Sequence, residues 1–397
     1  MKNSSKKNLS NIRVLIGSVG RFHSEYILEA FINRNILSKL ISTSPSSKYK
    51  KKNLSFIKNF LSIGYIIYIR RFLNNYLSYL LNIFGNILFS FRLNKFIKKN
   101  NFNIFIIFSS NALSTFKLLD NNKKIIKILE RGSTHYLHQL NLMNLLFKQN
   151  GFRYPSDKYF LNKELKEYSL ADYIVVPTNY VKKTFISNQI SSSKLIVNPY
   201  GADLDIFKPL TNLKKLNNGF INCVFCGDAS LRKGFHDLIN FCDTYKKDKI
   251  LFHHIGPISK EIKFLLKHNQ NHNNLKFYGS LNQSDINELF NKFDMLVLPS
   301  YEEGMSMVQL QAISSGIPIV STEESGFIEI QNQSNIKIGE KCYSGSNESL
   351  YRAIMSVKEN NIIRNFVNEE LTHIRNTYTW KNYQERYVNF ISEIYKN

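Results

Sequence analysis

Glu303 and Gln311 stand eight residues apart in "YEEGMSMVQLQ", directly behind the apolar run "LVLPS". Upstream, "CGDASLRKGF" places Arg232, Lys233 and Gly234 behind a second apolar run that ends at Gly227. A guanidinium fork beside an ammonium point charge, at a turn between strand and helix, suits a diphosphate. Each such charge-assisted hydrogen bond is worth about 1.5–3 kcal/mol. Gly304 lets backbone come close to a ligand, and the N–H groups of Met305, Ser306 and Met307 open a helix whose N-terminus favours anions. The Glu303 carboxylate can accept hydrogen bonds from hydroxyls, and Gln311, further along the helix, can reach another. Taken singly, Arg-Lys-Gly also fits a solvated turn and a Glu pair a solvated loop. Set at two strand ends of one chain, they read together as a site for an anionic, hydroxyl-rich ligand.

The elements that must position these groups follow from periodicity. "NIRVLIGSVG" reads as a strand ending in a glycine loop, with "HSEYILEAFINRN" the helix after it. "SKLISTSP", "FNIFIIFSS", "KIIKILE" and "DYIVVPT" read as further strands. Beyond residue 210 the alternation restarts with "INCVFCGD" and runs through "KILFHHIG", "NLKFYGS" and "MLVLPS". Strands alternating with helices imply parallel sheets covered by helices on both faces. At 397 residues the chain is long enough for two such domains. The expected fold is therefore α/β, with two doubly wound Rossmann-like domains facing a central cleft where ligands bind. We expect an N-terminal domain over residues 1–210 and a C-terminal domain over 211–378, with "TNLKKLNNG" as the linker at its start. A last helix over 379–397 is expected to pack back on the first domain.

Charge and composition bound the partners. Hydrophobic content of 43% supports packed cores, and the net charge is +23. Between Glu29 and Asp120 there is no Asp or Glu, while Lys and Arg recur; a one-signed region of that size attracts anionic surfaces. Residues 72–91, "FLNNYLSYLLNIFGNILFSF", are uncharged and long enough to span a bilayer. Yet Phe72, Tyr76, Leu80, Phe84, Ile87 and Phe91 share one helical stripe, with asparagines and serines opposite. This is an amphipathic helix, packed on a domain core in one reading and docked on anionic lipid in the other. Nothing in "MKNSSKKNLSNIRVLIGSVG" reads as a signal peptide, so a cytoplasmic protein is expected.

The ordered motifs resemble a family. Residues 296–322 look like the E-x7-E region of the retaining family 4 glycosyltransferases (glycosyl transferases group 1), which share the GT-B fold. "IGSVGRFHSEYILEAF", "ERGSTHYLHQL", "LADYIVVPTNYVKKTF", "NPYGADLDIFKP" and "GDASLRKGFHDLI" resemble further family segments in the family's order. The resemblance implies that Arg232 and Lys233 hold a donor diphosphate and Glu303 binds sugar hydroxyls. It makes Gly304, Met305 and Ser306 backbone donors, and puts Gln311 on the donor ribose. It places His135 in the cleft near sugar and acceptor, with Gly17 and Gly20 letting the first loop approach. It further implies transfer with retention and no metal, the nucleotide-sugar being a substrate and not a cofactor, and the donor phosphate serving as base. The implied acceptor is a glycan or lipid-linked hydroxyl in surface polysaccharide synthesis; the charge pattern adds an anionic membrane surface as an expected partner of the basic N-terminal domain. The chain departs from the family at Gln311, where a second glutamate stands, and at Asp228, often an arginine. These departures motivate an alternative, a non-catalytic GT-B subunit supporting a partner enzyme.

The remaining signals read as structural. Cys223 and Cys226 sit three apart on one predicted strand and point to opposite faces, which argues against a shared metal. "DLD" at Asp203 to Asp205 lies in an interdomain loop and offers too few oxygens for a hard cation. His253 and His254 point opposite ways on a strand, and Glu164 and Glu167 fit a solvated helix face. The aromatic residues do not interleave with basic ones as a nucleic-acid platform requires, so no nucleic-acid partner is expected.

Overall fold

Strands such as "IFIIF" carry apolar residues without alternation, which is what a sheet covered on both faces requires. The computed structural model describes residues 11–73, 75–122, 124–155, 158–210, 212–268, 273–360 and 369–395. Its first sheet is formed by β1 (Arg13–Ser18), β2 (Leu37–Ser42), β3 (Ile57–Asn59), β4 (Ile104–Phe108), β5 (Ile126–Glu130), β6 (Tyr173–Val176) and β7 (Leu195–Val197). Among the described residues these strands are parallel, in the order β3-β2-β1-β4-β5-β6-β7. The second sheet contains β8 (Ile221–Cys226), β9 (Ile250–Ile255), β10 (Leu275–Phe277), β11 (Met295–Leu298), β12 (Ile319–Ser321) and β13 (Gly339–Lys341). Its order, β10-β9-β8-β11-β12-β13, repeats the same winding. In each sheet the strand order reverses between the first strand and the fourth, and the crevice at that point is where open α/β sheets bind ligands.

The helices between these strands in the first domain are α1 (Ser24–Ile32), α2 (Leu61–Ile69), α3 (Asn75–Ile97), α4 (Leu113–Leu119), α5 (Tyr136–Gln149), α6 (Lys158–Leu170) and α7 (Asn179–Ile186). The second domain adds α8 (Phe235–Thr244), α9 (Lys260–His268), α10 (Gln283–Lys292), α11 (Met307–Ser314), α12 (Phe327–Asn332) and α13 (Asn347–Glu359). After α14 (Glu369–Thr377), the chain crosses back, and α15 (Trp380–Ile394) lies against α1. The crossing is tight: the Ala202 N–H donates to the Tyr378 carbonyl at 2.9 Å, and a side chain at Gly201 would strike the Thr379 backbone. Phenols of α15 then reach the first domain, Tyr383 and Tyr387 donating to the buried Glu130 carboxylate at 3.1 and 3.0 Å.

Three short edge strands, β3, β7 and β13, stand outside the sequence expectation; two of them, Ile57–Asn59 and Gly339–Lys341, hold too few apolar residues to register. Two expectations are corrected. Glu164 and Glu167 are not a solvated face: both are buried. Glu167 accepts the N–H groups of Ser110, Ala112 and Leu113, capping α4, and Glu164 pairs with Arg131 at 2.9 Å. Burial, with Glu164 nearby, pushes the Glu167 carboxyl up to about 7. The α3 stripe also lies opposite to the core-packed reading. Asn86 and Ser90 are buried against the domain, while Phe72, Tyr76, Phe84, Ile87 and Phe91 are exposed. Phe89, Leu93 and Ile97, outside the stripe, anchor the helix instead. No helix among the described residues is long and apolar enough to cross a membrane.

Candidate functional site

On the N-terminal side, the site grows from the loop after β1. Gly20, at φ 99°, takes the left-handed turn that carries the chain up from the strand. Its N–H donates to the Thr43 hydroxyl at 3.0 Å, and its carbonyl accepts from Ser18 and Ser42. Its polar backbone groups are thus committed within the protein, and Gly20 shapes the loop instead of binding a donor directly. Gly17 faces Leu93 and Ile107 and is part of the packing. Past the turn, Phe22 is held at φ 40°, a strained conformation for a bulky residue, and stands exposed at the lip of the cleft. His23 follows, its Nε2 2.8 Å from Glu130 Oε1, walled by Phe108, Tyr200 and Tyr383. Neither His23 nor Glu130 stands out in the sequence. The signal was present, a histidine opening the helix behind a glycine loop and an acid closing an apolar strand, but a pairing across 107 positions is invisible in one dimension.

His135 is a correction. It caps α5: its Nδ1 accepts the Leu137 N–H at 3.3 Å, and its own N–H donates to Thr184. The ring packs on Tyr168 and Phe185, each with centroids 5.0 Å away, and does not line the cleft. Burial, then the nearby Arg131, pull its pKa down to about 4, so it is neutral at pH 7. The residues just before it, Arg131, Gly132 and Ser133, are the ones that reach the cleft.

On the C-terminal side, Arg232, Lys233 and Glu303 do come together. Lys233 Nζ lies 2.6 Å from Glu303 Oε1, its stem running over Gly227. Arg232 Nη1 is 3.4 Å from the other Glu303 oxygen and donates to the Glu302 carbonyl at 2.8 Å. Burial alone would raise the Glu303 carboxyl, but Lys233 and Arg232 hold it below its ordinary value. Gly234, at φ 72°, is pressed on the Pro299 carbonyl and fixes this turn beneath the β11 end.

Glu302, unassigned in the sequence reading, joins the two domains. Its Oε1 accepts from the Thr134 N–H and hydroxyl at 3.1 and 2.7 Å. Its Oε2 accepts from Gln139 at 3.1 Å and lies 3.3 Å from Arg232. Neither member of the Glu pair is solvated: Glu302 is fully buried and Glu303 nearly so. Gly304 is a glycine for an interdomain reason, since a Cβ there would lie 1.7 Å from the Gly132 carbonyl oxygen. Its own carbonyl accepts from Thr178 at 3.0 Å. One expected backbone role changes accordingly. The Ser306 N–H is spent on the Ser325 carbonyl at 3.1 Å, so it is not a free donor.

Between the domains lies a cleft of about 460 Å³. Gln311 and Met307 enter it from one face of α11, one helical turn apart. The first domain contributes Arg21, Phe22, His23, Glu130 and Arg131, and the interdomain loop contributes Asp203. Arg232 and Lys233 do not line this cleft. The Gln311 side-chain amide makes no hydrogen bond to another described residue and is available to a ligand. The cysteines are free and buried. Asp203 turns its Oδ1 to the Asp205 N–H, and His253 is bonded to Tyr278 and Asn222.

Residues 212–373 match the family model described as glycosyl transferases group 1. An uncharacterized 41.2 kDa protein in a cps region of Klebsiella pneumoniae is 24% identical over 247 residues, covering 59% of this chain and 64% of that protein. The processive diacylglycerol alpha-glucosyltransferase of Acholeplasma laidlawii is 30% identical over 172 residues, covering 41% and 51%. The matched stretch thus spans about one half to two thirds of these relatives' own lengths. Among solved structures, Anabaena HepE in complex with UDP and glucose superposes with a TM-score of 0.64 at 12% identity, covering 96% of this chain and all of that one. The two facing doubly wound domains are the GT-B fold.

Proposed function

We propose that this chain, a glycosyltransferase of group 1 built on the GT-B fold, moves a sugar from a nucleotide-sugar to a hydroxyl of a glycan or lipid-linked acceptor, with retention and without a metal. The observation that carries the reading is the convergence of Arg232 and Lys233 on Glu303 at the β11 end. In this reading the two cations turn from Glu303 to the donor diphosphate, and the freed carboxylate takes the sugar hydroxyls. Gln311 accepts from a ribose hydroxyl through its amide oxygen, a neutral bond weaker than a carboxylate's. As the bond from sugar to phosphate breaks, the acceptor oxygen bonds the same face of the sugar. The acceptor proton passes to the departing phosphate oxygen, whose charge the clamp stabilises. The UDP and glucose in the Anabaena complex favour UDP-sugars as the first donors to try.

The test is a donor screen on the full chain with UDP-, GDP-, ADP- and dTDP-sugars, reading thermal stabilisation and diphosphate release with and without a chelator. One nucleotide class should stabilise and turn over, chelator or not. Lys233→Ala should lower kcat/KM about 10- to 150-fold, the loss of one charge-assisted contact. NMR of the product anomer checks retention. Silence from wild type and Gln311→Glu across all donors would replace the reading with a non-catalytic subunit.

A further inference from the structure

The exposed face of α2 and α3 and the groove behind it go beyond sugar transfer. Tyr65 on α2, Phe72 in the turn that follows it, and Tyr76, Phe84 and Phe91 on α3 stand 53–72% exposed. The pair is locked in place, since a side chain at Gly85 would meet Ile67 at 2.8 Å. Polar Asn86 and Ser90 face inward while the aromatic rings face out. A water-soluble surface rarely keeps so large a contiguous apolar patch without a partner.

Charge selects that partner. Beside the stripe, α3, α4 and α6 enclose an open groove of about 850 Å³, with Ile87, Phe91, Leu113 and Leu118 on its apolar wall. Lys95, Lys98, Lys117 and Lys166 also line it, and none of the four forms an ion pair with a carboxylate among the described residues, while Lys163 is buried. The absence of any Asp or Glu between Glu29 and Asp120 leaves α2 and α3 without an opposing charge. Apolar rings projecting beside unpaired ammonium groups complement an anionic bilayer, in which acyl chains lie below a layer of phosphates. A nucleic acid would use the lysines but leave the aliphatic and aromatic stripe in water.

The groove also adjoins the cleft. Ser109 lines the cleft and Leu113 the groove, four residues apart, and in α6 the groove residue Lys163 precedes Glu164, which holds Arg131. We infer that this face docks on the anionic phospholipid leaflet of a membrane, the aromatic stripe entering the headgroup layer and the lysine-rimmed groove receiving a phospholipid. Docking would hold the cleft mouth near hydroxyls carried on lipid.

The experiment is co-sedimentation of the full chain, without donor, on vesicles of phosphatidylcholine alone or equimolar with phosphatidylglycerol. Binding should require phosphatidylglycerol and fade as salt rises. Lys95→Glu/Lys98→Glu/Lys117→Glu should lower partitioning at least about 100-fold, at roughly fivefold per lysine removed. Phe72→Ser/Phe84→Ser/Phe91→Ser, at exposed sites, should abolish binding while the melting temperature holds. No sedimentation at low salt, or variants that bind like wild type, would overturn the inference. So would a concentration-dependent dimer that the phenylalanine variant dissolves in the absence of vesicle binding. Donor turnover, assayed separately in solution, tells failure here from failure of the sugar-transfer reading.

Discussion

At the scale of single residues, the site is a set of cations already answered by carboxylates. Lys233 and Arg232 are both engaged by Glu303, and Arg232 by Glu302 as well. On the proposed reading, a diphosphate would compete with Glu303 for Arg232 and Lys233, and sugar hydroxyls would have to satisfy the freed carboxylate. That reading couples the binding of sugar and diphosphate through one side chain. Glu303→Gln removes the competing charge, so a bare nucleoside diphosphate should bind about tenfold tighter, while turnover of the intact nucleotide-sugar falls by at least that factor. Isothermal titration and single-turnover assays on the variant check both halves; weaker binding of the diphosphate would reject the coupling. Arg232, Lys233 and Glu303 are legible in sequence because each falls in a glycine-bearing turn between an apolar run and a helix. Glu302 was not, because its partners Thr134 and Gln139 belong to the other domain.

At the scale of elements, His135 shows how a motif can carry a structural role. It caps α5, and its depressed pKa of about 4 makes it a group that the folded state keeps neutral. The unfolded chain takes its proton near pH 6.5, so the stability gained from neutrality is complete above that pH and is lost as pH falls toward 4. His135→Asn retains a side-chain cap without a titrating ring. The stability of wild type relative to this variant should fall by about 2 kcal/mol between pH 7.5 and pH 5. Chemical denaturation at both pH values measures it, and a difference that does not change with pH would show that the ring titrates normally. The α3 helix is the second case at this scale. Its amphipathic period was plain in sequence, but period alone cannot say which side faces the protein. That was settled by the fit of Gly85 on Ile67 and by the burial of Phe89 and Leu93.

At the scale of the whole molecule, the two domains meet at glycines. The Gly304 contact with the Gly132 carbonyl leaves no room for a methyl group, and both partners are backbone that cannot rotate away. Gly304→Ala should force the loops apart, costing roughly 1–3 kcal/mol as overpacking does, and separate Glu302 from Thr134 and Gln139. The expected result is a lower melting temperature and a kcat/KM at least about tenfold down, since small displacements of a catalytic group are costly. Circular dichroism should keep its native shape because neither Gly132 nor Gly304 lies in a strand or helix. Unaltered turnover would show that the domain contact is dispensable.

By itself, the sequence determined the two doubly wound domains, the glycine turns and the cluster of Arg232, Lys233 and Glu303, because each is written in local periodicity or in residues adjacent along the chain. The tertiary structure alone decided that His135 is turned into the core, that His23 pairs with Glu130, that Glu302 ties the domains together and that α3 shows its apolar stripe to solvent. All of these depend on contacts between residues far apart in the chain, or on which of two faces a neighbouring element covers. Spacing along a sequence records neither.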